Sequence, residues 1–239
     1  MQQLPVKINF FDALKKGLAL VSFSFRGTFI YAFVISLINQ LLAFGIGSAY
    51  SIDGDKISIN APSLFILYFG LLFLNMLFGN CLILIRQNAI LANKKLTLKQ
   101  TVQPILERFP GILGSGLAFF LLSMMGMGLY LIPGLLFLTL FYLYLPSLIF
   151  AHKKAFESWA YSLSLIKKHF FSTLGLVLVS LILLWVPRMI INSLGNSFSE
   201  SNTYFGLEVT GMVLLVALTL LLMNALNLIW FYLLHQNKQ

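Results

Sequence analysis

Six amide side chains lie inside otherwise apolar stretches of this chain: Asn39 and Gln40, Asn75 and Asn80, Asn224 and Asn227. A carboxamide carries two donors and an acceptor and does not ionise, so it can hold a neutral polar group but cannot move a proton or activate a nucleophile. Two readings follow. Either the amides line a polar path or ligand cavity between helices, or they bond across helix contacts, an interaction averaging about 0.6 kcal/mol in membrane bundles. Asn75 with Asn80, and Asn224 with Asn227, fall in the inner or middle part of their stretches. These four are the candidate cavity residues.

Ionisable groups avoid the middle of every apolar stretch. A charge in hydrocarbon is costly and persists where function requires it, so this distribution weighs against proton-coupled transport, a voltage sensor or an intramembrane protease. His152, His169 and His235 close three of the stretches, with Glu157 nearby. They read either as a metal or phosphate site at the membrane surface or as ordinary headgroup-level histidines. The chain holds no Gly-Lys-Ser/Thr phosphate loop, His-Glu-x-x-His helix, Gly-x-Ser-x-Gly elbow or cysteine pair. No catalytic residue, metal or cofactor is therefore expected. Cys81, the single cysteine, cannot form an intrachain disulfide.

The elements that must position the amides follow from composition. Of 239 residues, 59% are hydrophobic and 10% charged, where a soluble domain carries about 25% charged residues; the mean hydropathy is +0.90. Charge-free stretches run 27–49, 57–85, 109–151, 170–187 and 209–237, and a helix needs about 20 apolar residues to cross the hydrocarbon core. The third is long enough for two crossings and divides at Ile132-Pro133-Gly134, where proline removes a backbone donor and glycine permits a turn. The chain is thus expected to be one all-α integral membrane domain, residues 1–239, with six transmembrane helices over about 27–48, 62–85, 110–130, 134–151, 170–187 and 207–233. Residues 1–5 lack the basic-then-apolar design of a cleavable signal, so the first span is expected to stay in the mature protein.

Charge supplies the topology. Fourteen of the 16 Lys and Arg residues fall before the first span, between the second and third, between the fourth and fifth, or after the sixth, leaving Lys56 and Arg188 on the other side. The positive-inside rule then places both termini in the cytoplasm, and the net charge of +9 is explained without nucleic acid. The expected partners are membrane lipids and, at the basic cytoplasmic face, a protein. The outer loops 48–61 and 188–206 read as solvated connectors; Ile57-Ser58-Ile59-Asn60 alternates as a hairpin strand would, but a loop is expected.

Three basic segments align without gaps when Phe25, Phe109 and Phe170 are superposed. Apolar positions then coincide at Leu14/Leu98/Trp159, Leu18/Val102/Leu163 and Val21/Ile105/Ile166, which lie on one face of a helix. Each reads as an amphipathic helix lying in the membrane interface, over about 9–25, 96–109 and 155–169. Asp12 and Thr97 supply helix starts for two of them, and Pro104 should kink the second. The plan is three repeats of an interfacial helix plus two spans, arranged with pseudo-threefold symmetry about the membrane normal. The pairs Ala43/Gly47 and Gly114/Ala118 have the small-x-x-x-small spacing of close helix contacts, and Gly126 with Gly128 would let the third span bend. Met124, Met125 and Met127 add adaptable packing.

Ile132-Pro133-Gly134, Leu145-Pro146 and the run Ser162 to Phe170 together carry a pattern that resembles the YciC-type family of bacterial inner-membrane proteins, a group similar to the membrane portion of some glycerophosphodiester phosphodiesterases. Ser158 and Leu163 stand where that pattern favours alanine and tryptophan. The resemblance implies a six-span inner-membrane protein and no catalytic residues. Two functional readings are carried forward. One is a non-enzymatic protein that organises the membrane or envelope by binding lipid or a protein partner; the other is a small transporter or permease subunit for a lipid-like or neutral solute.

The charge asymmetry is tested by cysteine labelling with Cys81 first replaced. A cysteine at Ser51 or Ser199 should react with an impermeant thiol reagent in intact cells, and one at Asn93 or Ala155 should not; the reverse pattern would invert the topology.

Overall fold

In the computed structural model the described residues are 9–48, 50–53, 56–129, 131–197 and 202–236. They form nine α-helices and one hairpin: α1 (Phe10–Ser48), β1 (Tyr50–Asp53), β2 (Lys56–Ile59), α2 (Pro62–Leu91), α3 (Leu98–Glu107), α4 (Phe109–Leu129), α5 (Leu131–Leu140), α6 (Tyr144–Phe150), α7 (Ala155–Ile166), α8 (Phe170–Ser197) and α9 (Asn202–Gln236). Six helical stretches among them are long and apolar enough to cross a membrane, as a multi-pass membrane protein requires.

Several expected boundaries move, each for a local reason. The interfacial helix expected over 9–25 does not exist separately, because α1 runs unbroken for 39 residues. At 1.5 Å per residue that is about 58 Å, well beyond a hydrocarbon core of about 30 Å. No proline or capping pattern interrupts residues 20–30, so nothing ends the helix there. Its start is capped by Asn9, whose Oδ1 accepts from Phe11 N at 3.2 Å, rather than by Asp12. The expected loop over 57–60 is instead strand β2, paired antiparallel with β1 in the register Tyr50↔Ile59 to Asp53↔Lys56. The alternating segment is thus half of a backbone-paired hairpin. Most of the connector expected over 188–206 is helix, since α8 continues to Ser197 and α9 begins at Asn202; residues 198–201 lie outside the described ones. Pro133 and Gly134 fall in the first turn of α5, where proline's missing N–H costs nothing.

The α1 seam shows how the bundle packs. Its buried residues are Ala13, Gly17, Leu20, Ser24, Thr28, Ala32, Ile35 and Ser36, a stripe dominated by small side chains. Against it lie α9 and α2. A Cβ on Gly17 would come within 2.5 Å of Leu226 Cδ2, and one on Gly79 within 2.6 Å of Ile35 Cγ2. Ser36 Oγ donates to Val213 O at 2.8 Å, fixing the antiparallel α1/α9 pair at a second level. Small residues let backbones approach where lipid supplies no hydrophobic drive for association.

The expected apolar face of the three basic segments is only partly the buried one: Ile105 and Ile166 are wholly inside, but the other positions are not. Leu18 is 51% exposed and Leu98 57%, whereas the neighbouring aligned positions Gly17, Thr101 and Ser162 are buried in all three segments. In a membrane bundle large apolar side chains are at ease against lipid, and the small ones go inside. The small-residue pairs are corrected in the same way: a Cβ on Gly47 or Gly114 would meet open space. Gly116 does the packing instead, against Leu77, and Gly126 lies so close to α5 that a Cβ on it would come within 2.9 Å of Gly134 Cα, which leaves it no free hinge.

Gly126→Ala should consequently lower the melting temperature in detergent, by the roughly 1–3 kcal/mol of an overpacked site. Gly114→Ala should leave it unchanged or raise it, since alanine gains about 1 kcal/mol over glycine in a helix. Equal losses at both positions would contradict the close α4/α5 contact.

Candidate binding cavity at the broken fourth span

The fourth span, expected as one helix over 134–151, is interrupted between α5 and α6 at Phe141-Tyr142-Leu143. Pro146 accounts for the break. It has no N–H to donate to the carbonyl four residues earlier, which is Tyr142 O, and its ring crowds that carbonyl. Tyr142 N and Tyr144 N turn to acceptors three residues back, Thr139 O at 3.3 Å and Phe141 O at 2.9 Å. That leaves Leu143 N, Leu140 O and Tyr142 O without their helical partners.

Two side chains supply the missing bonds. Ser162 of α7, wholly buried, accepts from Leu143 N at 3.2 Å and donates to Leu140 O at 3.1 Å. Asn227 of α9 donates through Nδ2 to Tyr142 O at 3.3 Å. The segment expected to lie in the interface over 155–169 is thus packed against the middle of the fourth span, with Trp159 ringed by Phe137 and Phe141 at 6.1 and 5.0 Å. Its first turn is closed by Glu157, which accepts from Lys154 N at 3.4 Å. Arg108 closes the far end of α6 by donating through Nη1 to Leu148 O and Ile149 O at 2.8 and 2.6 Å, while its Nη2 meets His152 Nδ1. A cation on the last carbonyls of a helix is favoured by their partial negative charge.

Beside the break lies a cavity of about 270 Å³ whose polar lining is Asn80, Asn224, Asn227, Tyr142 and Ser180. Three of the four candidate residues thus come together. Asn224 Nδ2 donates to Asn80 Oδ1 at 2.8 Å and to Leu220 O at 2.8 Å, and Asn80 Nδ2 donates to Met76 O at 2.9 Å. Tyr142 Oη and Ser180 Oγ are 3.3 Å apart. Asn227 Oδ1 is buried without a hydrogen-bond partner among the described residues. A second cavity of about 360 Å³ shares Leu77, Asn80, Phe119, Leu138 and Tyr144 with the first and extends it past Phe69, Phe73, Phe120 and Met124. A cavity with uncharged polar groups in its lining therefore adjoins an aromatic groove.

Asn75 is not part of this site. It clamps α2 to α1, donating to Ile35 O at 3.0 Å and to Asn39 Oδ1 at 2.8 Å, so for it the helix-contact reading holds. The histidines separate: His152 meets Arg108, His235 Nδ1 meets Tyr161 Oη at 2.5 Å, and His169 faces the edge of Trp230. Among the described residues no three His, Cys, Asp or Glu gather as metal ligands would. Missed from the sequence were Tyr142, Ser180 and the wholly buried Gln87, whose Nε2 donates to Leu221 O at 2.9 Å. Counting four residues back from Pro146 would have found Tyr142.

No carboxylate, imidazole, amine or thiol stands among the described lining residues of either cavity, so the arrangement suits binding of a neutral group rather than proton transfer. Comparison with protein-family models, curated proteins and solved structures finds no match to this chain.

Ser162→Ala should destabilise the protein by about 1–3 kcal/mol, because a buried N–H and carbonyl lose their only replacement partner. Ser22→Ala, at an exposed serine, should change stability by less than about 0.5 kcal/mol. Thermal melts of the two variants in one detergent decide whether the break depends on Ser162.

Proposed function

We propose that this chain is a non-enzymatic inner-membrane protein that binds a lipid-like amphiphile, its hydroxyl-bearing, uncharged head in the asparagine-lined chamber and its chain in the adjoining aromatic groove. The observation that carries this reading is the gathering of Asn80, Asn224 and Asn227, the last with a buried Oδ1 that has no partner among the described residues, at a cavity that shares lining residues with an apolar groove. A buried acceptor without a donor is costly, and an O–H from the ligand removes that cost. The chamber is small for a whole ligand pocket, for which about 300 Å³ is a lower bound, and so fits a headgroup whose tail continues elsewhere. Flexible methionine and ring-bearing phenylalanine walls suit a disordered chain.

The reading includes cytoplasmic termini, supported by the placement of Lys and Arg. It also includes membership of the YciC-type family, supported by the structural use of Pro146 and Ser162, and a threefold repeat, supported by the shared burial of Gly17, Thr101 and Ser162. A second reading, transport of the same amphiphile, is favoured by the discontinuous helix at the cavity, a feature used by transporters to build sites from freed backbone.

Protein purified in a neutral detergent should carry an uncharged hydroxyl lipid detectable by mass spectrometry of the extract, and Asn227→Leu should carry several-fold less. Leu138→Trp, which fills the chamber's junction with the groove, should act in the same direction. Wild type free of such lipid, or variants that retain it fully, would refute binding. Transfer of that lipid between leaflets of reconstituted vesicles, lost in the same variants, would select the transport reading.

A further inference from the structure

The basic end of the α1/α2 hairpin contains a further pocket, of about 330 Å³, in which Gly27, Arg86, Lys94 and Lys95 are lining residues. Arg86 is held in place from three sides. Its Nε donates to Gly27 O at 3.2 Å, its Nη1 to Thr101 Oγ1 at 3.4 Å, and its guanidinium carbon stands 4.1 Å from the centre of the Tyr31 ring. Among the described residues Nη2 has no acceptor and Arg86 has no carboxylate partner.

The two lysines are positioned by the end of α2. Asn93 adopts φ 52°, Asn93 N donates to Ile90 O at 3.0 Å, and Lys94 N donates to Ala89 O at 2.8 Å. This pair of reversed bonds ends the helix in a fixed left-handed turn. After this turn Lys94 and Lys95, both exposed, line the same pocket as the half-buried Arg86, and α3 follows at once behind the Thr97/Gln100 capping box. No acidic residue is among the described residues that line the pocket. Three cations on one pocket repel one another, and no anion of the described lining offsets them.

We propose that this pocket binds a phosphate group, with the planar fork of Arg86 engaging two of its oxygens through Nη1 and Nη2 and the lysine ammonium groups closing over the rest. Arginine's geometry matches a tetrahedral oxyanion in two-point contact, while lysine acts as a point charge. Two sources carry this chemistry: the headgroup of an anionic phospholipid and phosphate in solution. The pocket lies where the helical hairpin leaves its apolar stretch, at the level of lipid headgroups. It is separate from the asparagine chamber and does not rest on the function proposed for that chamber.

The test uses the full chain in an uncharged detergent, with melting temperature read against added phosphatidylglycerol, phosphatidylcholine or inorganic phosphate. Phosphatidylglycerol should raise the wild-type melting temperature. The variant K94Q/K95Q should need roughly thirtyfold more of it, about fivefold for each lysine removed near the headgroups. The control K167Q/K168Q loses the same charge elsewhere on the basic face and should respond nearly as wild type does. Arg86→Lys, which keeps charge but loses the fork, should fall between; if it does not fold, the lysine pair still decides. An equal rise with inorganic phosphate at matched ionic strength assigns the pocket to soluble phosphate, and a rise with phosphatidylglycerol alone assigns it to lipid. A K94Q/K95Q response like wild type, or equal losses in both lysine pairs, would overturn the site.

Discussion

The fold depends on the rule that backbone N–H and C=O groups in hydrocarbon must find partners within the protein. Pro146 breaks that rule locally, and the surrounding structure is arranged to repair it. Leu143 N and Leu140 O are both satisfied by one hydroxyl, Ser162, and Tyr142 O by one amide, Asn227. Each repair comes from a different helix, so the break ties α7 and α9 to the fourth span at one point. A continuous helix would need neither tie. The cavity beside the break follows from the same cause, because a backbone bent away from its helical path leaves volume between α5, α8 and α9 that side chains do not fill.

The rest of the bundle is set by how closely its long helices approach. Along α1 the inward stripe is Ala13, Gly17, Ser24, Thr28 and Ala32, and the partners Leu226 and Ile35 press into the space left by glycines on the facing surface. Hydroxyls in this seam bond to carbonyls, as Thr28 Oγ1 does to Ser24 O at 2.8 Å, and so add little polarity to the interior. Between α1, α2 and α9 the amide ties Asn75 to Asn39 and Gln87 to Leu221 O fix the relative height of the helices, which dispersion forces alone leave free to slide.

Much of this was legible in the sequence, and the failures share a cause. Six apolar spans, a helix start at Thr97 and Asn80, Asn224 and Asn227 as cavity candidates could be read because hydropathy, capping and amides inside apolar runs have direct physical meaning. The buried face was misplaced at Leu18 and Leu98, though not at Ile105 and Ile166, because apolar periodicity marks the protein interior less sharply when the solvent is lipid. With lipid outside, Leu18 and Leu98 gain nothing by facing inward, and the informative periodicity is that of Gly17, Ser24 and Thr28. The boundary of α1 was lost because basic residues such as Lys15 and Arg26 suggested an edge, although charge alone does not end a helix. Asn75 looked equivalent to Asn80 in sequence and was not, since only the rotation of α2 decides which amide faces α1 and which faces the break.

The residues that carry the resemblance to a known family prove to be structural in this chain. Gly134 gives its backbone to Gly126, Pro146 breaks the span and Ser162 mends it. The residues that give the chamber its chemistry, Asn80, Asn224, Asn227 and Ser180, all lie outside that pattern. In this chain those residues build the broken helix and its repair, and the polar lining of the cavity comes from elsewhere in the sequence. Asn227 stands at the junction of the two roles. Its Nδ2 serves the backbone, while its Oδ1 has no partner among the described residues. On the binding function proposed above, a donor from the ligand to Oδ1 would polarise the amide and strengthen the Nδ2 bond to Tyr142 O, so that filling the chamber and holding the span in its broken form would reinforce each other.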